Sequence, residues 1–175
     1  IWNTPSKQVD LPSTEVHVWR LKLDQPESIR NRLATVLSAD ETERANRFYF
    51  EKDQHHYTVG RGVLRNLLGA YLQLSPETIV FAYGPNNKPM LSDQMAHFNL
   101  RFNLSHSHGE ALLAFAYGRE LGVDLEQIRP LDDAKAIAEH NFSARDIATF
   151  LSLPGHQRDE GFFNCWTRKE AYIKA

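Results

Sequence analysis

Phe98-Asn99-Leu100-Arg101-Phe102-Asn103-Leu104 alternates apolar and polar side chains and runs directly into Ser105-His106-Ser107-His108-Gly109. A period of two marks a strand with one buried face, because successive side chains point to opposite sides of the pleat. Upstream of that strand, Val16–Leu23 reads as an imperfect strand, with Val16, Val18, Leu21 and Leu23 set against His17, Arg20 and Lys22. Ser38-Ala39-Asp40-Glu41 is a Ser-x-x-Glu capping box that opens a helix expected to run through Arg44, Arg47 and Phe48 toward Phe50. Asp53 is expected to cap a longer helix, in which Val63, Leu64, Leu67, Leu68, Tyr71 and Leu72 recur at three- and four-residue steps. Ser75-Pro76 ends it, Ile79–Tyr83 is a short strand, and Gly84 to Pro89 is an exposed loop. Downstream, Ala111–Tyr117 and Leu121–Ile128 read as a hairpin turned at Gly118-Arg119-Glu120. Beyond Pro130 the pattern is helical, with Ser143 capping a short helix, Pro154-Gly155 breaking it and Asp159 starting the last one. Strands that do not alternate regularly with helices define an α+β class, divided near Ser105–Gly109.

The composition narrows the function classes. The 175 residues carry 20 Lys+Arg against 22 Asp+Glu, a formal net charge of −2, and are 42% hydrophobic and 24% charged. That is a folded globular chain, since disorder needs low hydrophobicity with a high net charge. The balanced charge offers no basic footprint for nucleic acid. The longest apolar run, Ala111–Tyr117, is far short of the roughly 18 residues that suggest a membrane span. No basic-then-apolar segment reads as a signal peptide, and the lone Cys165 cannot form an internal disulfide, so a cytoplasmic location is expected.

Three stretches carry groups that can do chemistry. In Gly122-Val123-Asp124-Leu125-Glu126 a strand would place Asp124 and Glu126 on one face, an arrangement that a cation between them makes favourable. Hard oxygen ligands of this kind suit Mg²⁺ together with substrate phosphates; a solvated acidic face gives the same pattern. In the last helix Trp166, Glu170 and Lys174 are each four apart and line one face, which offers a third carboxylate and a cation for a phosphate, or an exposed ion pair beside a core tryptophan. Phe102-Asn103-Leu104-Ser105-His106-Ser107 ends a strand in groups able to hold phosphate, or in a locally capped turn. The remaining histidines show no zinc spacing.

Taken together, Asn87-Lys88-Pro89, Phe102 to Ser107, Gly122 to Glu126 and Trp166-Thr167-Arg168-Lys169-Glu170-Ala171-Tyr172-Ile173-Lys174 resemble the Sfp-type 4′-phosphopantetheinyl transferases, in the family's order and spacing. The resemblance covers the chain from about Leu37 to Ala175. It implies the 4′-phosphopantetheinyl transferase fold, a pseudo-dimer of two similar α+β lobes. The expected division is residues 1–105 and residues 106–175, with the second lobe truncated in this chain because family members continue beyond the Lys174 position. It implies transfer of the phosphopantetheine arm of coenzyme A to a serine of an apo acyl or peptidyl carrier protein, releasing 3′,5′-ADP, by a monomer that binds neither nucleic acid nor membrane.

By the same resemblance Asp124, Glu126 and Glu170 hold Mg²⁺ as cofactor. Ser105 and His106 bind the nucleotide phosphates, Lys88 and Pro89 flank the adenine, Arg44 meets the 3′-phosphate, and Lys169 and Lys174 contact the phosphates. Glu170, Lys174 and His106 are the expected catalytic residues, with Asp146 or a metal-bound water as an alternative base to Glu170. Two competing readings are a truncated, non-catalytic module that binds coenzyme A or carrier proteins, and a Mg²⁺-dependent nuclease.

Overall fold

A computed structural model describes residues 9–84 and 87–175. Its first half is built on one long helix laid across a small sheet. Strand β1 (His17–Lys22) is followed by helices α1 (Glu27–Ala34), α2 (Ala39–Asn46) and α3 (Glu51–Leu72). Strands β2 (Phe81–Tyr83) and β3 (Pro89–Leu91) pair as a short ribbon, and β4 (Leu100–Ser107) and β5 (Glu110–Tyr117) join β1 in an antiparallel sheet of order β1-β5-β4. The chain then turns helical in α4 (Ala134–Asn141), α5 (Ala144–Ser152) and α6 (Arg158–Lys174).

Two apolar cores result. Val59, Val63, Leu64, Leu67, Leu68 and Tyr71 on α3 meet Phe102, Leu113 and Phe115 from the sheet, all nearly inaccessible to solvent. The second core gathers Ala134, Ala138, Phe142, Phe150, Phe162 and Phe163 from α4, α5 and α6. The expected lobe division after residue 105 falls inside β4, and β4 and β5 share a sheet with β1.

The partner of Ala111–Tyr117 is the preceding strand and not Leu121–Ile128. The turn decides this. His108 and Gly109 both take positive φ, 50° and 79°, as a two-residue hairpin turn requires, and every residue from Leu100 to Ser107 then has a partner on β5. Residues 121 to 128 form no strand. The inward face of β1 is also the opposite of the one expected at its start. Leu21 and Leu23 are buried, a period of two carries that face back to Trp19 and His17, and Val18 stands 57% exposed. His17 Nδ1 and Trp19 Nε1 both meet the Tyr71 hydroxyl, at 2.9 and 2.8 Å, so two polar rings are satisfied on the inner face. Helix α2 stops at Asn46, α3 starts at Glu51 with Asp53 inside its first turn, and Pro89 belongs to β3 rather than to a loop. Helix α1 has no counterpart in the sequence expectations.

One buried charge cluster fixes the α2–α3 corner. Glu41, expected only as a capping residue, does accept the Ser38 N–H at 3.0 Å. Its side chain is fully buried and also meets Arg65 Nε at 2.6 Å and Arg61 Nε at 3.4 Å. Arg65 further donates to the carbonyls of Pro76 and Ile79, at 2.9 and 3.0 Å, tying the end of α3 to the chain that follows it. Removing one partner of such a cluster strands the others as buried unpaired charges. Glu41→Gln is therefore expected to cost about 3–5 kcal/mol, read in urea as a lower unfolding midpoint at unchanged slope.

Candidate active site

Side chains alternate across β4, and each of its faces builds half of a site. Leu104 and His106 face a cavity of about 640 Å³ that α3 closes with Lys52, His56 and Arg61 and to which Arg44 and Pro89 also contribute. Three fixed cations and three histidines against Asp53 make this a place for an anion. At its rim His56 meets Asp24 at 2.8 Å, and that hydrogen bond holds the Asp24 carboxyl below the usual carboxylate range. Burial raises the Tyr57 phenol, with the Arg61 charge opposing, so it stays an O–H donor at neutral pH.

The other face of β4 holds the acidic segment by side chains instead of a backbone ladder. Asn103 Oδ1 accepts the Val123 N–H at 2.9 Å and Ser105 Oγ accepts the Leu125 N–H at 3.3 Å. The Ser105 hydroxyl donates to Asp124 Oδ1 at 2.9 Å and the Ser107 hydroxyl to Glu126 Oε2 at 3.2 Å. Lys174 Nζ reaches across from α6 to Asp124 Oδ1 and to Ser105 Oγ, the latter at 3.2 Å, while Lys88 Nζ donates to the Lys174 carbonyl. Gly122 permits the approach: a Cβ there would lie 1.8 Å from the Ala171 carbonyl oxygen. The Asp124 side chain is only 3% exposed, and its Oδ2 is buried without a hydrogen-bond partner. An unpartnered buried carboxylate oxygen is the kind of group a cation satisfies.

The expected site residues thus fall into three places. Arg44, Pro89 and His106 line the cavity on one side of β4. Lys88, Ser105, Asp124 and Lys174 form the polar cluster on the other, with Glu126 at its edge. Lys169 and Glu170 line a second cavity of about 590 Å³ between α5 and α6, together with Asp146, Cys165 and Trp166. Among the described residues no three Asp, Glu, His or Cys side chains converge as metal ligands. Lys174 is the ion-pair partner of Asp124. Trp166 stacks on Phe162 at 5.8 Å and belongs to the second core. Asp146 sits at the start of α5, where the Ser143 hydroxyl holds its carboxyl below the ordinary range, a poor setting for a base. Burial raises the Cys165 thiol.

Lys52, His56, Tyr57 and Arg61 were missed in the sequence. They recur at four- and five-residue steps on the N-terminal half of α3, the half whose apolar spacing is weakest.

Comparison with known proteins defines the class. Residues 19–116 match the family described as 4′-phosphopantetheinyl transferase, N-terminal, and residues 120–175 match the 4′-phosphopantetheinyl transferase superfamily. The chain belongs to this superfamily, whose members move the phosphopantetheine arm of coenzyme A onto carrier proteins. It is 47% identical to the 4′-phosphopantetheinyl transferase HetI of Nostoc sp. over 174 residues, 99% of this chain and 73% of that protein. It is 31% identical to a putative 4′-phosphopantetheinyl transferase of Synechocystis sp., over 90% of this chain and 63% of the relative, and 26% identical to Sfp of Bacillus subtilis, over 90% and 68%. These relatives give no support to a nuclease.

The side-chain tether along β4 can be tested by amide exchange. Asn103→Ala removes the acceptor of the Val123 N–H, and exchange at Val123 is expected to rise about fivefold while the β4–β5 amides keep their protection.

Proposed function

We propose that the cavity between α3 and β4 binds the nucleotide end of coenzyme A and that the pyrophosphate lies toward Asp124 and Lys174. The observation that carries this is the convergence on one strand of a cationic cavity and a buried carboxylate. His106 faces the first and Ser105, one residue earlier, the second. In this reading Arg44 binds the 3′-phosphate, Asn87 and Pro89 in the cavity wall lie on the adenine side with Lys88 between them, and His106 and Ser105 bind phosphate oxygens.

The reaction is attack of a carrier-protein serine hydroxyl on the pantetheine-bearing phosphorus. The new P–O bond forms as the bond to 3′,5′-ADP breaks, and the serine proton passes to Glu170. Such a displacement needs alignment and neutralisation of charge more than covalent help. Lys174 and His106 neutralise phosphate oxygens, and Lys169 adds charge on the α6 side. Mg²⁺ would be held at the unpartnered Asp124 Oδ2 with Glu126 as a further ligand and would supply charge neutralisation at the pyrophosphate, while Glu170, which lines the cavity between α5 and α6, takes the proton in place of the metal role the resemblance implies. Glu170 stands one helical turn before Lys174 on α6. The acceptor is an apo acyl or peptidyl carrier protein, and the protein acts as a cytoplasmic monomer. No helix is long and apolar enough to cross a membrane among the described residues.

Incubation with coenzyme A, Mg²⁺ and a panel of apo carriers, followed by intact mass spectrometry of the carriers, tests this directly. A phosphopantetheine-sized gain on the carrier serine is expected, lost in EDTA and slowed about 100-fold or more in Asp124→Ala. A gain that survives both treatments contradicts the role given to Asp124, and no gain on any carrier supports a module that only binds.

A further inference from the structure

The cavity between α5 and α6 takes no part in holding the nucleotide, yet its wall carries Glu170, the group proposed to accept the serine proton. The geometry of the displacement gives that position a meaning. Attacking and leaving oxygens lie roughly in line through the phosphorus. The leaving group is the nucleotide, which the proposed reading seats on the His106 face of β4 with the pyrophosphate toward Asp124 and Lys174. The serine hydroxyl then approaches from the opposite side, past α6. Glu170 precedes Lys174 by one turn of that helix, so the approach runs along this cavity. The pantetheine arm is one of the equatorial substituents of the phosphorus and leaves that line sideways.

The wall has the make-up of a protein-binding surface. Phe150 is buried and Leu153 and Trp166 are half-buried in it, while Tyr172 and Ile173 stand 84% and 74% exposed. Large apolar side chains left exposed beside polar ones mark a surface that another protein covers. The same wall carries two exposed arginines, Arg145 on α5 and Arg168 on α6, whose guanidinium groups make no hydrogen bond or ion pair among the described residues. Lys169 differs, with Asp146 at 3.9 Å and the Phe142 ring at 5.8 Å. Two uncommitted guanidinium groups beside exposed apolar surface are complementary to carboxylates set around an apolar patch.

We infer that the α5–α6 cavity receives the acceptor carrier protein, its serine toward Glu170, and that Arg145 and Arg168 select carriers with acidic side chains around an apolar docking patch. This rests on the transferase reading proposed above. The two arginines set specificity by steering the carrier and pairing with it at the rim, and they take no part in the displacement itself.

The test is steady-state transfer to an acidic apo carrier by the unaltered protein and by the double variant Arg145→Glu, Arg168→Glu, with calorimetric binding of coenzyme A to each. In the variant KM for the carrier is expected to rise about tenfold or more, while kcat and coenzyme A affinity hold. A carrier with two acidic residues near its acceptor serine replaced by lysine is expected to recover its KM with the variant and to lose it with the unaltered protein. Raising the ionic strength is expected to raise KM more for the unaltered pair than for the variant. An unchanged carrier KM overturns the docking surface while leaving transfer intact. So does a loss of coenzyme A affinity that matches the rise in KM, which gives the cavity to the pantetheine arm. An unaltered protein that modifies no carrier overturns the transferase reading, and the docking surface with it.

Discussion

Strand β4 must satisfy two neighbours at once, and the site depends on how it does so. On one side it pairs with β5 through a complete antiparallel ladder. On the face away from the cavity the side chains of Asn103, Ser105 and Ser107, every second residue, bond to the 122–126 segment. The same alternation leaves Leu104 and His106 for the cavity under α3. One strand therefore fixes the spacing between the anion-binding cavity and the buried carboxylate, because adjacent side chains cannot drift relative to each other without breaking the ladder.

The buried charges take up the task on the far wall of the cavity. Glu41 is a capping residue, the counter-ion of two arginines and the anchor of the α2–α3 corner. Taking three ionised groups out of water is costly, and such clusters add little net stability compared with an apolar core. What this one does is hold Arg61 against the cavity with a donor to spare, which an apolar core could not do. On the other face Lys174 beside Asp124 has a parallel role: it keeps a nearly inaccessible carboxylate paired on one oxygen and leaves the second unpartnered.

Much of the fold was legible because the residues that decide it are repetitive. The C-terminal half of α3 is written in leucines at helical spacing, and all of them are buried. The Ser38–Glu41 box correctly marked the start of α2. The hairpin went wrong because residues 100–107 and 121–128 alternate equally well, so polarity could not choose between them; the positive φ at His108 and Gly109 chose. In β1 the valines suggested one face and the leucines another, and the packing of Trp19 and His17 against Tyr71 settled it. Of the site, the motifs identified which residues carry chemistry but not which of them meet. Lys174 on Asp124 is a contact across 50 residues that no local spacing predicts, and Arg61 is a charge inside a helix whose visible pattern was apolar.

The central claim is that coenzyme A enters the cavity on the His106 face of β4. An amide NMR titration with coenzyme A tests it most directly. Shifts are expected at Lys52, His56 and Arg61 on α3 and from His106 to Gly109. Shifts confined to Arg145, Lys169 and Glu170, around the cavity between α5 and α6, would contradict it.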